Sequence, residues 1–409
     1  MSETPPLTIS DTQAEAWQQE FPSLASTIHV ANCSHGPQAW RVRGAVDAYL
    51  DSWLEKGMDW ESWIAEIHGA KEAFARLIGA KPAEVALSTS ASAAVASVAS
   101  SLTGGDARRR VVTTEAEFPT VGHVWLAHAR YGLEVEFIPV RDGAIALDEY
   151  EVRVDERTLI VSATHVYYQN GFKQDVGRIA EIAHGAGALL LVDAYQSLGT
   201  CRVDVRELDI DILVSGNQKY LLGVPGVAFL YVKQELVEQL EPSFTGWFGR
   251  VDPFAFDPKT LDYAADARRL ETGTPPVFAA VAARAGMELI EEADPRRIEG
   301  RIEELSAHAI RGAANRDLKY SGPEDVHRKG ATTAITVPEP PRIERLLKER
   351  GIIASARGDV IRIAPHFFTT TEDIDRALDE LRSLLRHQFR TGVRESPTST
   401  GGNDGNQTT

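Results

Sequence analysis

Cysteine is scarce in this chain, with only Cys33 and Cys201 among 409 residues. Two cysteines so far apart exclude a disulfide framework and a Cys-x-x-Cys metal site, and they suit a reducing compartment. Positively charged residues are also in the minority. The chain has 43 Lys and Arg against 59 Asp and Glu, which gives a net charge of −16. This balance argues against nucleic acid or an anionic membrane as the main partner.

Long apolar runs are missing as well. No run approaches the roughly 20 apolar residues that a transmembrane helix needs, and the first residues, Met1-Ser-Glu-Thr-Pro-Pro, lack the basic and then apolar regions of a signal peptide. We therefore expect a cytoplasmic protein without a membrane segment. The histidines show no ligand spacing, so we expect no metal site.

Apolar strands alternate with helical stretches between about residues 85 and 232. The predicted strands are 85–88, 111–113, 134–138, 158–163, 188–192, 211–215 and 227–232. This alternation predicts an α/β fold with a mostly parallel sheet and helices on both faces. The segment 296–389 follows as helix, strands and helix, which predicts a smaller α+β domain.

A chain of 409 residues is too long for one ordinary core, so two domains are expected. We predict an N-terminal segment, 1–44, that contributes to the small domain and the active site, and a large domain over 45–280. The small C-terminal domain is predicted at 281–390. A low-complexity tail at 391–409 is expected to be disordered.

Lys219 follows an apolar, β-branched run and precedes a glycine-rich loop. A lysine at the end of a core strand is poorly solvated, which disfavours its ammonium form. Asp193 ends another apolar strand. An amine and a carboxylate at the ends of neighbouring strands suit pyridoxal phosphate (PLP), since the lysine can form the Schiff base while the aspartate keeps the pyridine nitrogen protonated. The alternatives are a salt-bridged lysine at the core edge and an aspartate that caps a helix.

Small residues follow the first predicted strand of the sheet, in the run Thr89-Ser90-Ala91-Ser92 before a helix. A helix N-terminus of this kind leaves backbone N–H groups free for a phosphate. The alternative is an ordinary serine-rich helix cap. The chain has no Gly-Lys-Ser/Thr sequence, which excludes a Walker loop.

Several motifs occur in the order and at the spacing of a known family. They are Phe118-Pro-Thr, Thr164-His-Val with Gly171 and Asp175-Val, Val192-Asp193-Ala-Tyr-Gln196, Gln218-Lys219-Tyr-Leu with Pro225-Gly226, Trp247-Phe-Gly, Arg269-Leu-Glu-Thr-Gly-Thr274-Pro-Pro, and Val360-Ile-Arg362. From about Phe21 to Arg386 the chain resembles the class V aminotransferase family of fold-type I PLP enzymes, which includes kynureninases, cysteine desulfurases and selenocysteine lyases. The resemblance implies a large PLP-binding domain with a mostly parallel sheet and a smaller α+β domain.

The resemblance also implies roles for individual residues. Lys219 and Asp193 are the expected catalytic pair; the other expected cofactor contacts are Phe118 on the pyridine face, Gln196 at the phenol oxygen, and Ala91, Ser92, Gln218, Trp247 and Thr274 at the phosphate. The expected substrate contacts are Arg362 on the α-carboxylate, His35 and Tyr168. Each has a plainer alternative: core packing for Phe118, a core or interface position for Trp247, a helix cap for Thr274, a buried ion pair for Arg362 and a surface turn for His35.

The reaction type is less constrained than the cofactor. The stretch 354–359 before Arg362 has no cysteine, unlike the desulfurases, and Gln196 and Gln218 replace the histidine and tyrosine of kynureninases. Amino transfer is the favoured interpretation. A PLP-dependent lyase, with Tyr168 or His35 as an acid, is the alternative, and a non-catalytic PLP-binding scaffold is a remote one. The loop at Thr274 crosses between subunits in relatives, so the resemblance implies a homodimer with shared sites and an amino-acid substrate.

Overall fold

The computed structural model describes residues 8–102 and 108–391, with side chains as far as residue 386. The helices are α1 Asp11–Gln18, α2 Trp40–Lys56, α3 Trp60–Ile78, α4 Ala91–Ser101, α5 Pro119–His128, α6 Leu147–Arg153, α7 Val176–Gly185, α8 Gln234–Val237, α9 Val277–Ala293, α10 Pro295–Asn315, α11 Pro340–Glu349 and α12 Thr371–Thr391. The strands are β1 Ile28–His29, β2 Val85–Ser88, β3 Arg110–Thr114, β4 Glu134–Ile138, β5 Thr158–Thr164, β6 Leu189–Asp193, β7 Ile212–Gly216, β8 Ala228–Val232, β9 Tyr320–Ser321, β10 Thr333–Thr336, β11 Ile352–Ile353, β12 Ser355–Arg357 and β13 Val360–Ile363.

A seven-stranded sheet organises the larger part of the described chain. Its order is β2-β8-β7-β6-β5-β3-β4. Strand β8 runs antiparallel to both neighbours, whereas β7, β6, β5, β3 and β4 pair in parallel. The predicted α/β fold with a mostly parallel sheet is therefore confirmed.

The sheet forms where the sequence has continuous apolar runs. Every residue of β5, β7 and β8 is buried, as expected for strands covered by helices on both faces. Successive side chains enter opposite cores, so that Val85 and Leu87 pack on one side and Ala86 on the other. Two apolar cores consequently cover the two faces of the sheet.

Local signals set the helix ends. The Asp59 side chain accepts from the Ser62 N–H at 3.1 Å at the start of α3, and Gly79, in the left-handed conformation (φ 70°), ends it. Asp175 caps α7 in the same way through the Arg178 N–H. Helix α9 is buried along most of its length and belongs to the same core as α3.

A smaller sheet, β12-β13-β10-β9, is antiparallel throughout. Strand β1 pairs in parallel with β11, and Ile28 and Val30 join the core of this unit. The smaller α+β domain is thus present. The boundary at residue 280 stays a prediction, since α9 runs across it without a break. The tail 392–409 lies outside the described residues.

The carboxyl ends of the parallel strands meet at one edge of the large sheet. Because β8 is antiparallel to both neighbours, β2 runs in the same direction as β7. Thr89 follows β2, Asp193 ends β6, and Lys219 comes three residues after β7. This edge is where open α/β sheets bind ligands. Within the described ranges, no helix has both the length and the apolar character needed to cross a membrane.

Candidate active site

A cavity of about 330 Å³ opens at this edge of the sheet. Eight of the predicted site residues lie in its wall. The lining residues are Thr89, Ser90, Ala91, Ser92, Phe118, Thr120, Thr164, Tyr168, Asp193, Tyr195, Gln196, Gln218, Lys219, Pro225, Gly226 and Val227. The cavity therefore joins the predicted phosphate, ring and lysine contacts in one space.

Lys219 is half-buried, and its Nζ has no hydrogen bond to any of the described residues. The amine lies 4.2 Å from the centre of the Tyr195 ring and 5.6 Å from that of Phe118. Burial lowers the pKa of Lys219 to about 8, against the charges of Asp193 and Cys33, which raise it. An amine with this pKa has a far larger neutral fraction near physiological pH than an ordinary lysine, which makes it available for covalent chemistry.

Asp193 is 5% exposed and lies at the floor of the cavity. Its Oδ1 accepts from the Tyr195 N–H at 2.8 Å. Burial raises the pKa of the Asp193 carboxyl, while the Tyr195 N–H and Lys219 lower it. A cationic ring nitrogen beside this buried carboxyl would stabilise its ionised form, because opposite charges attract strongly at a buried site.

The N-terminus of α4 forms the polar end of the cavity. Ser90 is the N-cap, and its hydroxyl accepts from the Ala93 N–H at 3.1 Å. The N–H groups of Ala91 and Ser92 have no acceptor within the helix, because the first turn lacks one. The Ser92 hydroxyl lies 3.3 Å from Thr120 Oγ1. Gln218 completes this wall.

Aromatic rings border the opening. Phe118 is 43% exposed and meets Tyr168 edge to face, with the ring centres 5.4 Å apart. Pro119 begins α5 directly after Phe118, which fixes the backbone before the helix. Phe118 thus lines the cavity with an exposed ring, unlike the packed core residue that was the alternative from the sequence.

Arg362 is 1% exposed and has no carboxylate partner among the described residues. Its guanidinium donates to the Tyr168 carbonyl at 2.9 Å, to Ser34 Oγ at 2.8 Å and to Ser355 Oγ at 2.7 Å. Its Nε has no partner. Buried cations are normally paired with an anion. For Arg362, however, the buried ion pair considered from the sequence is not found in the described residues. The structure instead holds an uncompensated guanidinium beside the cavity.

The N-terminal segment 31–36 packs against the lysine loop. The Gly36 N–H donates to the Gln218 carbonyl at 2.9 Å, and a Cβ at Gly36 would lie 2.7 Å from the Lys219 carbonyl oxygen. His35 is exposed, and its Nδ1 lies 2.6 Å from the Gly36 carbonyl; it is absent from the cavity wall. The neighbouring Ser34, which the sequence did not indicate, contacts Arg362 instead.

Trp247 and Thr274 do not line the cavity of this single chain. Trp247 lies in an aromatic cluster with Trp60, Phe248, Phe254 and Phe256. Thr274 is exposed. The two segments are nonetheless adjacent, because the Phe248 N–H donates to the Thr272 carbonyl at 3.2 Å.

Glu117 is a residue that the sequence did not indicate. It is 5% exposed, directly precedes Phe118, and neither carboxyl oxygen has a hydrogen bond of good geometry. Burial and the charge of Asp193 raise the pKa of Glu117 well above its usual value, with only the Thr164 backbone acting in the other direction. Burial at this position therefore favours the protonated form of Glu117.

The free groups of the cavity fit PLP. Lys219 has an unbonded amine, and α4 offers N–H groups to a phosphate. Gln196 donates to the Cys33 carbonyl at 3.0 Å, which leaves its second N–H and an unpartnered Oε1 for a ligand. No cluster of three or more potential metal ligands is found in the described part of the chain; the expected lack of a metal stays a prediction.

The chain is similar to several known proteins. YcbU of Bacillus subtilis (strain 168), named an uncharacterized aminotransferase, is 40% identical over 374 residues, which cover 91% of this chain and 99% of that protein. A kynureninase of Burkholderia pseudomallei (strain K96243) is 27% identical and covers 90% and 91%. The apo cysteine desulfurase of Thermococcus onnurineus NA1 has the same fold, with a TM-score of 0.83 at 23% identity over 91% of this chain and 98% of that one. The family model "Aminotransferase class-V" matches residues 59–376, and the chain therefore belongs to the class V aminotransferase family of PLP-dependent enzymes with fold type I.

Proposed function

We propose that this enzyme acts at the α-carbon of an amino acid and that its reaction is amino transfer. The observation that supports this most is the arrangement of three groups in and beside one cavity. Lys219 and Asp193 line the cavity, and Lys219 offers a free amine. Arg362 is not in the cavity wall, but its guanidinium donates to the carbonyl of Tyr168, which is, and it has no carboxylate partner among the described residues. These are the groups needed to attach PLP, to hold its ring nitrogen and to anchor an amino acid.

Bound PLP supplies an electron sink for the bonds of the α-carbon. Lys219 then serves as the base that moves the α-proton, since a pKa of about 8 lets its amine take and return a proton near neutral pH. Asp193 holds the ring nitrogen. Arg362 binds the α-carboxylate through its planar fork, which Ser34, Ser355 and the Tyr168 carbonyl orient.

Amino transfer is favoured over the specialised reactions of relatives. Neither of the two cysteines of the chain lies in the 354–359 stretch, where the desulfurases that the chain resembles have theirs. Gln196 and Gln218 lie in the cavity wall, and an amide does not exchange a proton as histidine or tyrosine does. The similarity to YcbU supports the same choice.

A PLP-dependent lyase is the second candidate. The observation that favours it is Tyr168, whose ring lines the cavity beside Phe118 and whose hydroxyl is available to protonate a leaving group. The chain is also similar to a kynureninase. Both reactions share Lys219, Asp193 and Arg362 and differ only after the α-proton is removed.

We also propose a homodimer with shared sites in the cytoplasm. The segments that carry Trp247 and Thr274 are adjacent, and neither residue lines the cavity of its own chain, which is compatible with a role at a partner's phosphate. Several large apolar side chains of the segments that carry the Trp247 cluster and the preceding helix are exposed, with Trp53 54% exposed, Met58 66% and Phe256 73%. An apolar surface of this kind is typical of an interface.

A first experiment tests the attachment of the cofactor. Borohydride reduction of holoenzyme should fix the cofactor to one peptide that contains Lys219, and Lys219→Ala should not be labelled. Lys329 is the internal control, because it is buried and its pKa falls to about 7, yet it is not part of the cavity wall. Labelling of Lys329 in place of Lys219 would refute the assignment.

A second experiment separates the reactions. Holoenzyme is incubated with a panel of amino acids and no oxo acid. Amino transfer predicts that the aminated cofactor accumulates and that adding an oxo acid restores the lysine-bound form. Continuous release of pyruvate, alanine or sulfide without loss of the lysine-bound form would identify a lyase. A spectrum that no amino acid changes would indicate a non-catalytic scaffold.

A further inference from the structure

Arg357 is a second arginine close to the active site and has no assigned role. It ends β12 and is exposed, and it has no ion pair or hydrogen bond with the described residues. Many other exposed arginines of this chain are paired, such as Arg41 with Glu292 at 2.6 Å and Arg76 with Glu291 at 2.7 Å. The guanidinium of Arg357 is therefore available to bind a ligand.

Strand geometry places Arg357 on the face that carries the Arg362 contact. In β12, Ser355 and Arg357 are two residues apart, so their side chains leave the strand on the same side. Ser355 Oγ accepts from the Arg362 guanidinium at 2.7 Å. Two residues of a strand span about 7 Å. The backbone of Arg357 consequently lies about 7 Å from that of Ser355, a separation comparable to the length of a small dicarboxylic amino acid.

The turn after Arg357 packs on a loop that borders the cavity. A Cβ at Gly358 would lie 3.2 Å from the Gln169 side chain, so this turn packs directly on the loop that contains Tyr168. Tyr168 lines the cavity, and its carbonyl accepts from Arg362. The positive charges of Arg362 and Arg357 both lower the pKa of Lys219, which places both guanidinium groups within electrostatic range of its amine.

The cavity has little negative charge to balance these arginines. Asp193 is the one carboxylate in its wall, and in the proposed function that carboxylate would hold the ring nitrogen of PLP. Two guanidinium groups without carboxylate partners beside one cavity can bind two anionic groups, because Arg binds carboxylates by a bidentate fork. The overall charge of −16 does not oppose this, since the local field governs binding in a cleft.

We propose that Arg357 binds a second anionic group, on the side chain of the substrate, so that the enzyme acts on dicarboxylic amino acids or on amino acids with a comparable anionic side chain. This inference rests on the proposed function, in which Arg362 holds the α-carboxylate. Arg357 is then a specificity-determining residue that distinguishes doubly from singly anionic substrates.

The test uses holoenzyme and unreactive carboxylates. Glutarate and pentanoate have the same length and differ in one carboxylate, as do succinate and butanoate. Binding is measured by calorimetry and by the change of the cofactor spectrum. Wild type should bind the better dicarboxylate roughly tenfold to a hundredfold more tightly than its partner, as expected for one additional charged hydrogen-bonded pair.

Arg357→Gln should abolish this preference by weakening the dicarboxylate alone, and Arg357→Glu should weaken it further. Arg311→Gln, at an exposed position of α10, is the matched control and should behave as wild type. Equal dicarboxylate preference in Arg357→Gln and wild type would overturn the inference, and so would the lack of any preference in wild type.

The same panel distinguishes this failure from a failure of the proposed function. If wild type converts singly anionic amino acids as well as glutamate or aspartate, and Arg357→Gln changes neither, only the role of Arg357 is wrong. If no amino acid alters the lysine-bound cofactor of wild type, the proposed function itself fails. If Arg357→Gln lowers kcat/KM for glutamate or aspartate and leaves it unchanged for alanine, both are supported.

Discussion

Glu117→Gln replaces a buried acid by a neutral group of nearly the same shape. Glu117 is 5% exposed, and neither oxygen has a hydrogen-bond partner of good geometry among the described residues. Burial and the nearby charges of Asp193 raise its pKa. Tyr150, whose hydroxyl donates to Gln174 at 2.7 Å, lies close enough for its own pKa to respond to Glu117. No arginine or lysine is found to pair with Glu117 in the described residues.

The sign of the effect follows from the raised pKa. A carboxyl with a raised folded-state pKa favours the folded state fully below its unfolded pKa of about 4.3, and this contribution is lost as the pH rises toward the folded pKa. Glutamine has no such loss. As the pH rises, the free energy of unfolding of Glu117→Gln should therefore increase relative to that of wild type. The increase is at most about 1.4 kcal/mol per pH unit and ends where Glu117 ionises in the folded protein.

The assay is urea unfolding of wild type and variant from about pH 5 to about pH 8. Glu271→Gln is the matched control, because Glu271 is equally buried but forms an ion pair with the buried Lys71. Removing one member of such a pair costs about 3–5 kcal/mol, so this variant should be destabilised at neutral pH. Infrared spectroscopy should also show a protonated-carboxyl band in wild type that Glu117→Gln lacks. Equal destabilisation of both variants at neutral pH would refute a neutral Glu117.

Three further outcomes are expected. Capture of PLP by the apoprotein should speed up as the pH rises through about 8, where Lys219 loses its proton, and a rate that keeps rising up to the pKa of an ordinary lysine would contradict the burial effect. Arg362→Ala should keep the cofactor spectrum while amino-acid binding weakens by about 2–5 kcal/mol, or roughly thirty-fold or more; loss of PLP with normal substrate binding would reassign this arginine to structure. Mixing Lys219→Ala with Thr274→Trp subunits should partly restore activity if the sites are shared, because one heterodimer site then carries neither change, whereas independent sites should gain nothing.

The large sheet was predictable because its signal is local. Continuous apolar runs such as Thr158–Thr164 bury both faces of a strand, and the observed bounds differ from the predicted ones by a residue or so. Short strands were not predictable in this way. Ser355–Arg357 has three residues of mixed polarity, and it forms a strand only because Val360–Ile363 folds back on it.

The site was predictable where a strand end carries a reactive group, as with Lys219 and Asp193. Glu117 was not, because its unusual pKa depends on burial and on Asp193, which lies far away in sequence. Arg362 was expected either to bind substrate or to form an ion pair, and only the observed contacts remove the second option in the described residues. The predicted roles of Trp247 and Thr274 depend on a second chain, whose position a single sequence does not encode locally.

The N-terminal segment has a consequence for biosynthesis. Ile28 pairs with Ile352, Ala31 bridges to Ala364, and Gly36 rests on the lysine loop, so the first part of the chain is held by the last. Because a ribosome synthesises the chain from its N-terminus, Ile28 and Ala31 emerge long before their partners Ile352 and Ala364. The large sheet can assemble while synthesis continues, but the wall beside Lys219 closes only after β13 has emerged. Capture of the cofactor in its final environment must then be among the last events in the maturation of each newly made chain.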